Sequence, residues 1–197
     1  GTKLEQTGPV LITHWGLSGP AVLRLSAWGA RLLQEKEYRF TIQLNWLEGE
    51  GWNAASVLSY FEQHRQEHPS QQLTNSRMFQ LPQRLWDYFL TESGIAPPIR
   101  FAELKKKDEN KLIKLLTDMT MEINGKTTFK EEFVTAGGVD CTEIDAMAMQ
   151  SKLVPDLYFA GEIMDVDGIT GGFNFQNAWT SGYLAALSIA TKKDQFN

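Results

Sequence analysis

Residues 157–190 read LYFAGEIMDVDGITGGFNFQNAWTSGYLAALSIA, and the rest of the chain is organised around them. The opening Leu157-Tyr158-Phe159-Ala160 is a compact apolar run that predicts a short buried strand. A loop follows with Gly161, Glu162, Asp165, Asp167, Gly168, Gly171 and Gly172. From about Asn174 a helical pattern sets in, with Phe175, Ala178, Trp179, Gly182, Tyr183, Ala186 and Ile189 expected on one face. Strand, glycine-rich acidic loop and long helix form a unit able to hold a polar cofactor. Glycine lets backbone approach a ligand, and the N–H groups that open a helix favour an oxygen acceptor. The same joint also serves as a plain tight turn, so spacing alone leaves both readings open.

Working outward, Thr135-Ala136-Gly137-Gly138-Val139 carries a paired glycine that suits either ligand approach or a strand bend. Residues 140–156 read as a connector. Upstream, Met119, Met121 and Ile123 alternate into Asn124-Gly125, a hairpin signal, and strand structure is expected to run on through Phe133-Val134. Tyr38, Phe40, Ile42, Leu44 and Trp46 alternate with Arg39, Thr41, Gln43 and Asn45, the cleanest half-buried strand in the chain, and Glu48-Gly49-Glu50-Gly51 turns it. Between these strands lie three helices. The first is capped by Asn53 with Val57, Leu58 and Phe61 inward; the second opens at Pro82 with Leu85, Trp86, Phe89 and Leu90; the third carries Leu112, Leu115, Leu116 and Met119 after Leu104.

At the N-terminal end, Val10-Leu11-Ile12 predicts a short strand. Pro20 then starts a helix over residues 20–33, with Val22, Leu25, Trp28 and Leu32 toward the core and Ser18 as its cap. His14, Trp15 and Ser18 make no nucleophile–base pair, because neither an acid partner nor a nucleophile elbow accompanies them.

Composition narrows the function. A chain of 197 residues with 42% hydrophobic content and six tryptophans builds a real core. The formal charge of −5 supplies no general attraction to nucleic acid or an anionic membrane, and neither is expected as a partner. Lys105-Lys106-Lys107 and Lys111 cluster, but Glu103, Asp108 and Glu109 interleave with them, so the run is assigned to a solvated helix face. The single Cys141 excludes an internal disulfide and argues against a thiolate metal site. His64 and His68 share an i, i+4 spacing, yet exposure near Pro69 is expected rather than metal. With no apolar run of membrane-spanning length and no signal-peptide pattern, a cytoplasmic location is expected.

Residues 12–27 (ITHWGLSGPAVLRLSA), 133–139 (FVTAGGV) and 157–186, in this order, resemble the bacterial aminoacetone-oxidase-like flavoproteins, also described as BaiN-like NAD(P)/FAD-dependent oxidoreductases. The resemblance runs from about residue 8 to the end. It implies an α+β fold: a β-barrel-like insert (residues 1–52 and 118–134) with a helical subdomain (53–117) inside it. Residues 135–197 would follow as the C-terminal strand–loop–helix segment of a Rossmann-type FAD domain. The family's opening GxGxxG turn is absent, and the chain starts with Gly1 where the insert should begin. It is therefore read as a C-terminal half, a processed or excised piece without its Rossmann half and inactive alone.

By the same resemblance, Gly161 and Glu162 would meet the ribityl hydroxyls, with Asp165 and Asp167 extending that loop. Gly171, Gly172, Phe173 and Asn174 would bring backbone N–H groups to the flavin, with Gln176 as an outer polar contact and Gly137 and Gly138 flanking the ring. The helix dipole would favour reduced flavin by about 0.3–1 kcal/mol. FAD is the implied cofactor, NAD(P)H a possible second, and a small organic molecule the substrate; no catalytic acid or base stands out. The competing reading is a non-catalytic binding module. Without parallel neighbours, residues 157–190 are expected to pack on the insert, to be partly disordered, or to pair with another copy of the chain.

Overall fold

The computed structural model describes residues 2–47, 51–75, 78–126, 134–168 and 171–194. The chain divides into two compact units, residues 39–124 and residues 1–38 with 125–197.

In the 39–124 unit the alternating strand is β3 (Arg39–Leu44), paired antiparallel with β4 (Met119–Asn124). Phe40, Ile42 and Leu44 stand opposite Ile123, Met121 and Met119 on the half-buried face, while Thr41 donates to Glu122 Oε1 on the other (2.7 Å). Three helices fill the space between these strands in sequence: α3 (Ala54–Glu67), α4 (Gln83–Glu92) and α5 (Lys106–Thr117). Asn53 caps α3 as expected. Its Oδ1 accepts from the N–H groups of Ala55 and Ser56 (3.0 and 3.1 Å), and Ser56 Oγ accepts from the Asn53 N–H (2.9 Å). Removing this reciprocal cap with Asn53→Ala is expected to cost about 1 kcal/mol, read as a lower urea midpoint at unchanged m-value.

The core of this unit is aromatic and aliphatic: Phe61, Trp86, Phe89, Phe101, Leu112 and Leu116 are all buried. Trp86 avoids an unsatisfied indole by donating Nε1–H to the Leu73 carbonyl (2.8 Å). One polar group enters the interior. Glu109, assigned by sequence to a solvated face, is fully buried. Its Oε1 accepts from Arg65 Nη2 at 2.5 Å, Lys106 Nζ lies 3.0 Å from Oε2, and Arg65 Nε donates to the Phe101 carbonyl (3.2 Å). The α5 register sets this: Leu112, Ile113 and Leu116 face inward, and Glu109 lies three and four residues before the first two. His64 is half-buried beside Phe101 and hydrogen-bonds Gln71 (2.9 Å), whereas His68 is exposed as expected.

In the other unit the elements are short. β1 (Leu11–Ile12) pairs with β2 (Leu17–Ser18), closed by the Thr13 N–H to Gly16 carbonyl bond (2.8 Å). The predicted single helix is two: α1 (Pro20–Trp28) and α2 (Ala30–Glu35), interrupted at Gly29. Pro20 does open α1, but Gly19 occupies the cap position and Ser18 belongs to β2. Trp28, expected in the core, ends α1 and is 69% exposed, while Ala21 and Leu33 are buried. Within residues 140–156 a ladder forms between β5 (Ile144–Asp145) and β6 (Gln150–Ser151). A 22-residue helix, α6 (Phe173–Asp194), ends the described chain.

Two expectations change here, and the α6 face gains an orientation. Residues 157–160 are not a buried strand: Leu157 is exposed, and only Tyr158 makes a bridge, to Gln150. The apolar run instead drapes Tyr158 and Phe159 over the small Ile144–Met149–Met164–Ala185 core. The large side chains expected together on one face of α6 lie on its outward side. Phe175, Trp179, Tyr183 and Ile189 are exposed, and Ser181 and Ala185 are the buried positions. Finally, the sheets are three two-stranded ladders, so the architecture is α+β but no closed barrel is present among the described residues. The expected turn at 48–50 and the strand through Phe133 lie outside the described residues, and Val134 is not in a strand.

Candidate functional site

Two segments singled out by sequence come together in the unit formed by residues 1–38 and 125–197. Val139 donates its N–H to the Ile163 carbonyl (2.8 Å), and Asp165 donates its own to the Val139 carbonyl (2.9 Å), giving a parallel bridge between Val139 and Met164. Gly138 makes this approach possible. A Cβ at that position would lie 2.5 Å from the Ile163 carbonyl oxygen and 2.7 Å from the Asp165 nitrogen, so Gly138 faces protein backbone. Gly137 is different: a Cβ there would meet nothing within 4 Å, so its backbone is open to a ligand.

The acidic loop opens with a 3-10 turn, Gly161–Ile163, and Gly161 donates its N–H to Ser181 Oγ on α6 (2.9 Å). Ser181 in turn donates to the Asn177 carbonyl (2.6 Å), which explains why a serine is buried on this helix. Glu162 is exposed. Asn174 clasps the far end of the loop: the Gly168 N–H donates to its Oδ1 (2.7 Å), and its Nδ2 donates to the Gly168 carbonyl (3.1 Å). Both ends of its amide are thus used within the protein. Gln176 donates to Thr180 Oγ1 (2.9 Å). Gly171 and Gly172, at φ +131° and +106°, lead into α6, and a Cβ on either would point into open space. Phe173 beside them is exposed.

A cleft of about 330 Å³ is lined by Gly137, Asp165, Asp167 and Gly168 together with Arg24, Trp28 and Arg31. Arg31 forms an ion pair with Asp165, and Arg24 and Trp28 are exposed at the wall. Sequence reasoning missed these three. Trp28 is expected in the core stripe, and neither arginine carries a local signal of a site. Asp140, next to Val139, is held below the usual carboxylate range by the Thr142 backbone N–H and then by its hydroxyl. The contribution of this cap is therefore present at neutral pH and is lost as pH falls through the lowered pKa.

The glycine positions fit a cofactor of flavin type. Gly137, Gly171 and Gly172 leave open cradles, and the start of a long helix offers backbone donors. Gly138 and Asn174 shape the loop from within. The cleft is at the small end of ligand pockets and matches a ring or a sugar-sized part of a dinucleotide better than the whole molecule. Among the described residues, no group of three or more His, Cys, Asp or Glu is placed to hold a metal ion, and no helix is long and apolar enough to cross a membrane.

Comparison with known proteins identifies the family. Residues 1–134 match the family model described as HI0933-like protein barrel and H2TH domain. The chain is 36% identical to the ribosomal RNA dihydrouridine synthase of Escherichia coli over 93% of this chain and 43% of that protein. It is 34% identical to the protein of the same name from Haemophilus influenzae, over 92% of this chain and 42% of that one. It is also 31% identical to the 3-dehydro-bile acid delta(4,6)-reductase of Clostridium scindens, over 95% of this chain and 45% of that enzyme. The chain thus spans less than half the length of these relatives. The family model covers well over half of the chain, and the relatives cover nearly all of it: the chain belongs to the HI0933-like flavoprotein family.

Proposed function

We propose that the protein carrying this chain is a flavin-dependent reductase of carbon–carbon double bonds conjugated to a carbonyl, with the uracil ring of RNA as its substrate. The observation that carries the reading is the cleft that the open backbone of Gly137 lines together with Trp28 and Arg24. The relatives' names supply the reaction class. Making dihydrouridine saturates the C5–C6 bond of uridine, and a Δ4,6-reductase acts on double bonds conjugated to the 3-keto group of its steroid; both are reductions of an electron-poor alkene. When bound and reduced, FAD supplies a hydride for the carbon β to the carbonyl, a proton at the α-carbon completes the saturation, and NAD(P)H is the class of donor that restores the reduced cofactor.

This chain's residues bind and orient. Gly137, Gly171 and Gly172 give access to backbone; Gly161 and Glu162, with Asp167, line the polar side of the loop. Asn174 ties the loop to α6, Gly138 allows the loop its close approach to Val139, and Gln176 bonds Thr180 within the helix. Asp165 is neutralised by Arg31, which leaves Arg24 as the unpaired cation among the described residues lining the cleft. Trp28 offers a π-face on which a planar ring can stack. That combination suits a nucleobase with a phosphate close by.

The test is anaerobic incubation of the protein with FAD, NADPH and either a uridine-containing RNA or a 3-keto-Δ4,6 bile acid, followed by mass spectrometry. The expected product is RNA in which uridine gains two hydrogens. Trp28→Ala is expected to raise KM for RNA about tenfold, on the order of one lost stacking contact. Reduction of the bile acid alone would overturn the substrate; reduction of neither would leave the non-catalytic binding module as the better account.

A further inference from the structure

We propose that the outer face of α5 is a second RNA-contact surface, gripping the phosphate backbone of a single strand away from the reaction cleft. The inference rests on the RNA reading above and concerns residues of the 39–124 unit alone.

Lys107, Lys111 and Lys114 recur at i, i+4 and i+7, so they share one helix face, and all three are exposed. That face lies opposite the buried stripe of Glu109, Leu112, Ile113 and Leu116. Among the described residues, none of the three lysines has a carboxylate within ion-pair distance. Two of the three acids that interleave with the basic run in sequence are engaged elsewhere, and the third, Asp108, is half-buried on α5 beside the row without forming an ion pair with it among the described residues. Glu109 points inward to Arg65 and Lys106, and Glu103 caps the preceding turn by accepting from the Arg100 N–H (3.2 Å). A run that looks neutralised in sequence therefore presents an unshared positive row in space, in a chain whose overall charge is −5.

The row is about 10 Å long at 1.5 Å per residue. That length matches roughly three phosphates at the axial spacing of a nucleic-acid strand. Beside it, sharing Lys114, lies a mainly apolar cleft of about 400 Å³ floored by Leu58 and Ile113, with Asn110, Thr117 and Asp118 at its polar margin. The cleft is roomy enough for a base. Asn110 and Thr117 offer hydrogen-bonding groups, and Asp118 is the one carboxylate there, able to accept from an amino group but repelling a phosphate. Lysine row and apolar slot together are the two components of single-strand binding: electrostatic tracking of the backbone and a place for a base.

The test is fluorescence-anisotropy titration of a labelled single-stranded RNA against the full chain over a range of salt concentrations. The variants are Lys107→Gln/Lys111→Gln/Lys114→Gln and a control with equal charge loss elsewhere, Lys3→Gln/Lys36→Gln/Lys152→Gln. The face variant is expected to bind about tenfold or more weakly, with the log–log salt slope shallower by about 2, as three lost phosphate contacts require. Circular dichroism and urea midpoint should be unchanged, because the lysines lie opposite the packed stripe. Failure of the wild-type chain to bind RNA, unchanged binding by the face variant, or equal weakening in the control would overturn the proposal. The reaction is judged separately: RNA binding through this face without uridine reduction would sink the reading of the chemistry and leave the surface standing, and uridine reduction unaffected by the face variant would do the reverse.

Discussion

Arg65→Met is expected to destabilise the 39–124 unit by about 3–5 kcal/mol, the cost of leaving a buried carboxylate without its main partner. Glu109 is fully buried, and Arg65 reaches it from a half-buried position, whereas Lys106 is more than half exposed and holds only the other oxygen. Lys106 is thus the weaker partner. The informative comparison is the double variant Arg65→Met/Glu109→Met, which removes both charges and keeps side-chain volume. It is expected to recover most of the loss, because an apolar replacement of a buried pair is often near neutral. Urea unfolding followed by tryptophan fluorescence measures both, since Trp86 sits in the same core. A loss below about 1 kcal/mol in the single variant, or a double variant as unstable as the single, would show that the pair does not govern this core.

The second large effect is at Gly138. In Gly138→Ala the added Cβ would meet three backbone atoms, the Ile163 oxygen at 2.5 Å, the Met164 carbonyl carbon at 2.6 Å and the Asp165 nitrogen at 2.7 Å. None is the end of a flexible side chain, so the two segments must separate. Overpacking and backbone strain together are expected to cost about 3 kcal/mol or more. Gly137→Ala places its Cβ in open space and bears only the backbone cost of its φ of +102°, about 1–2 kcal/mol. Hydrogen exchange separates the two. The amides of Val139 and Asp165, both donors in the bridge, should lose protection in Gly138→Ala and keep it in Gly137→Ala. Full protection in Gly138→Ala would mean that the close approach does not depend on glycine.

How much of this was legible in the sequence depends on the length of the element. The β3 strand was readable because six residues alternate without exception, α3 and α4 because a capping asparagine and a proline open them, and α5 because of its apolar stripe. Short elements failed. Residues 157–160 have strand composition, but β6 beside them is only two residues long and supports no more than the Tyr158 bridge among the described residues. The α6 stripe was located in the sequence, but not its orientation. Periodicity identifies a face; it does not say which side the rest of the fold covers, and here small Ser181 and Ala185 pack close while the aromatics stay outside.

The same distinction holds at the site. The paired glycines at 137 and 138 look alike in sequence, yet one meets backbone and the other open space. Asn174 is expected, by the resemblance, to bring its backbone N–H toward a flavin, and folding adds a second use, the closure of its side-chain amide on Gly168. Arg24 and Arg31 were silent because an arginine on a helix has no local signature, and only folding brings Arg31 to Asp165, 134 residues away. Glu109 was hidden for a related reason: a charge within a basic run is taken for solvated until its register against Leu112 and Leu116 is known.

The most direct test of the flavin-dependent reduction of RNA uracil is made in the organism that encodes this chain. Its gene is deleted, then restored, and dihydrouridine in ribosomal RNA is quantified by mass spectrometry at single-nucleotide resolution. The account predicts that at least one ribosomal RNA uridine loses its two-hydrogen mass gain in the deletion and recovers it with the wild-type gene, but not with Gly138→Ala. Dihydrouridine that is identical with and without the gene would contradict it.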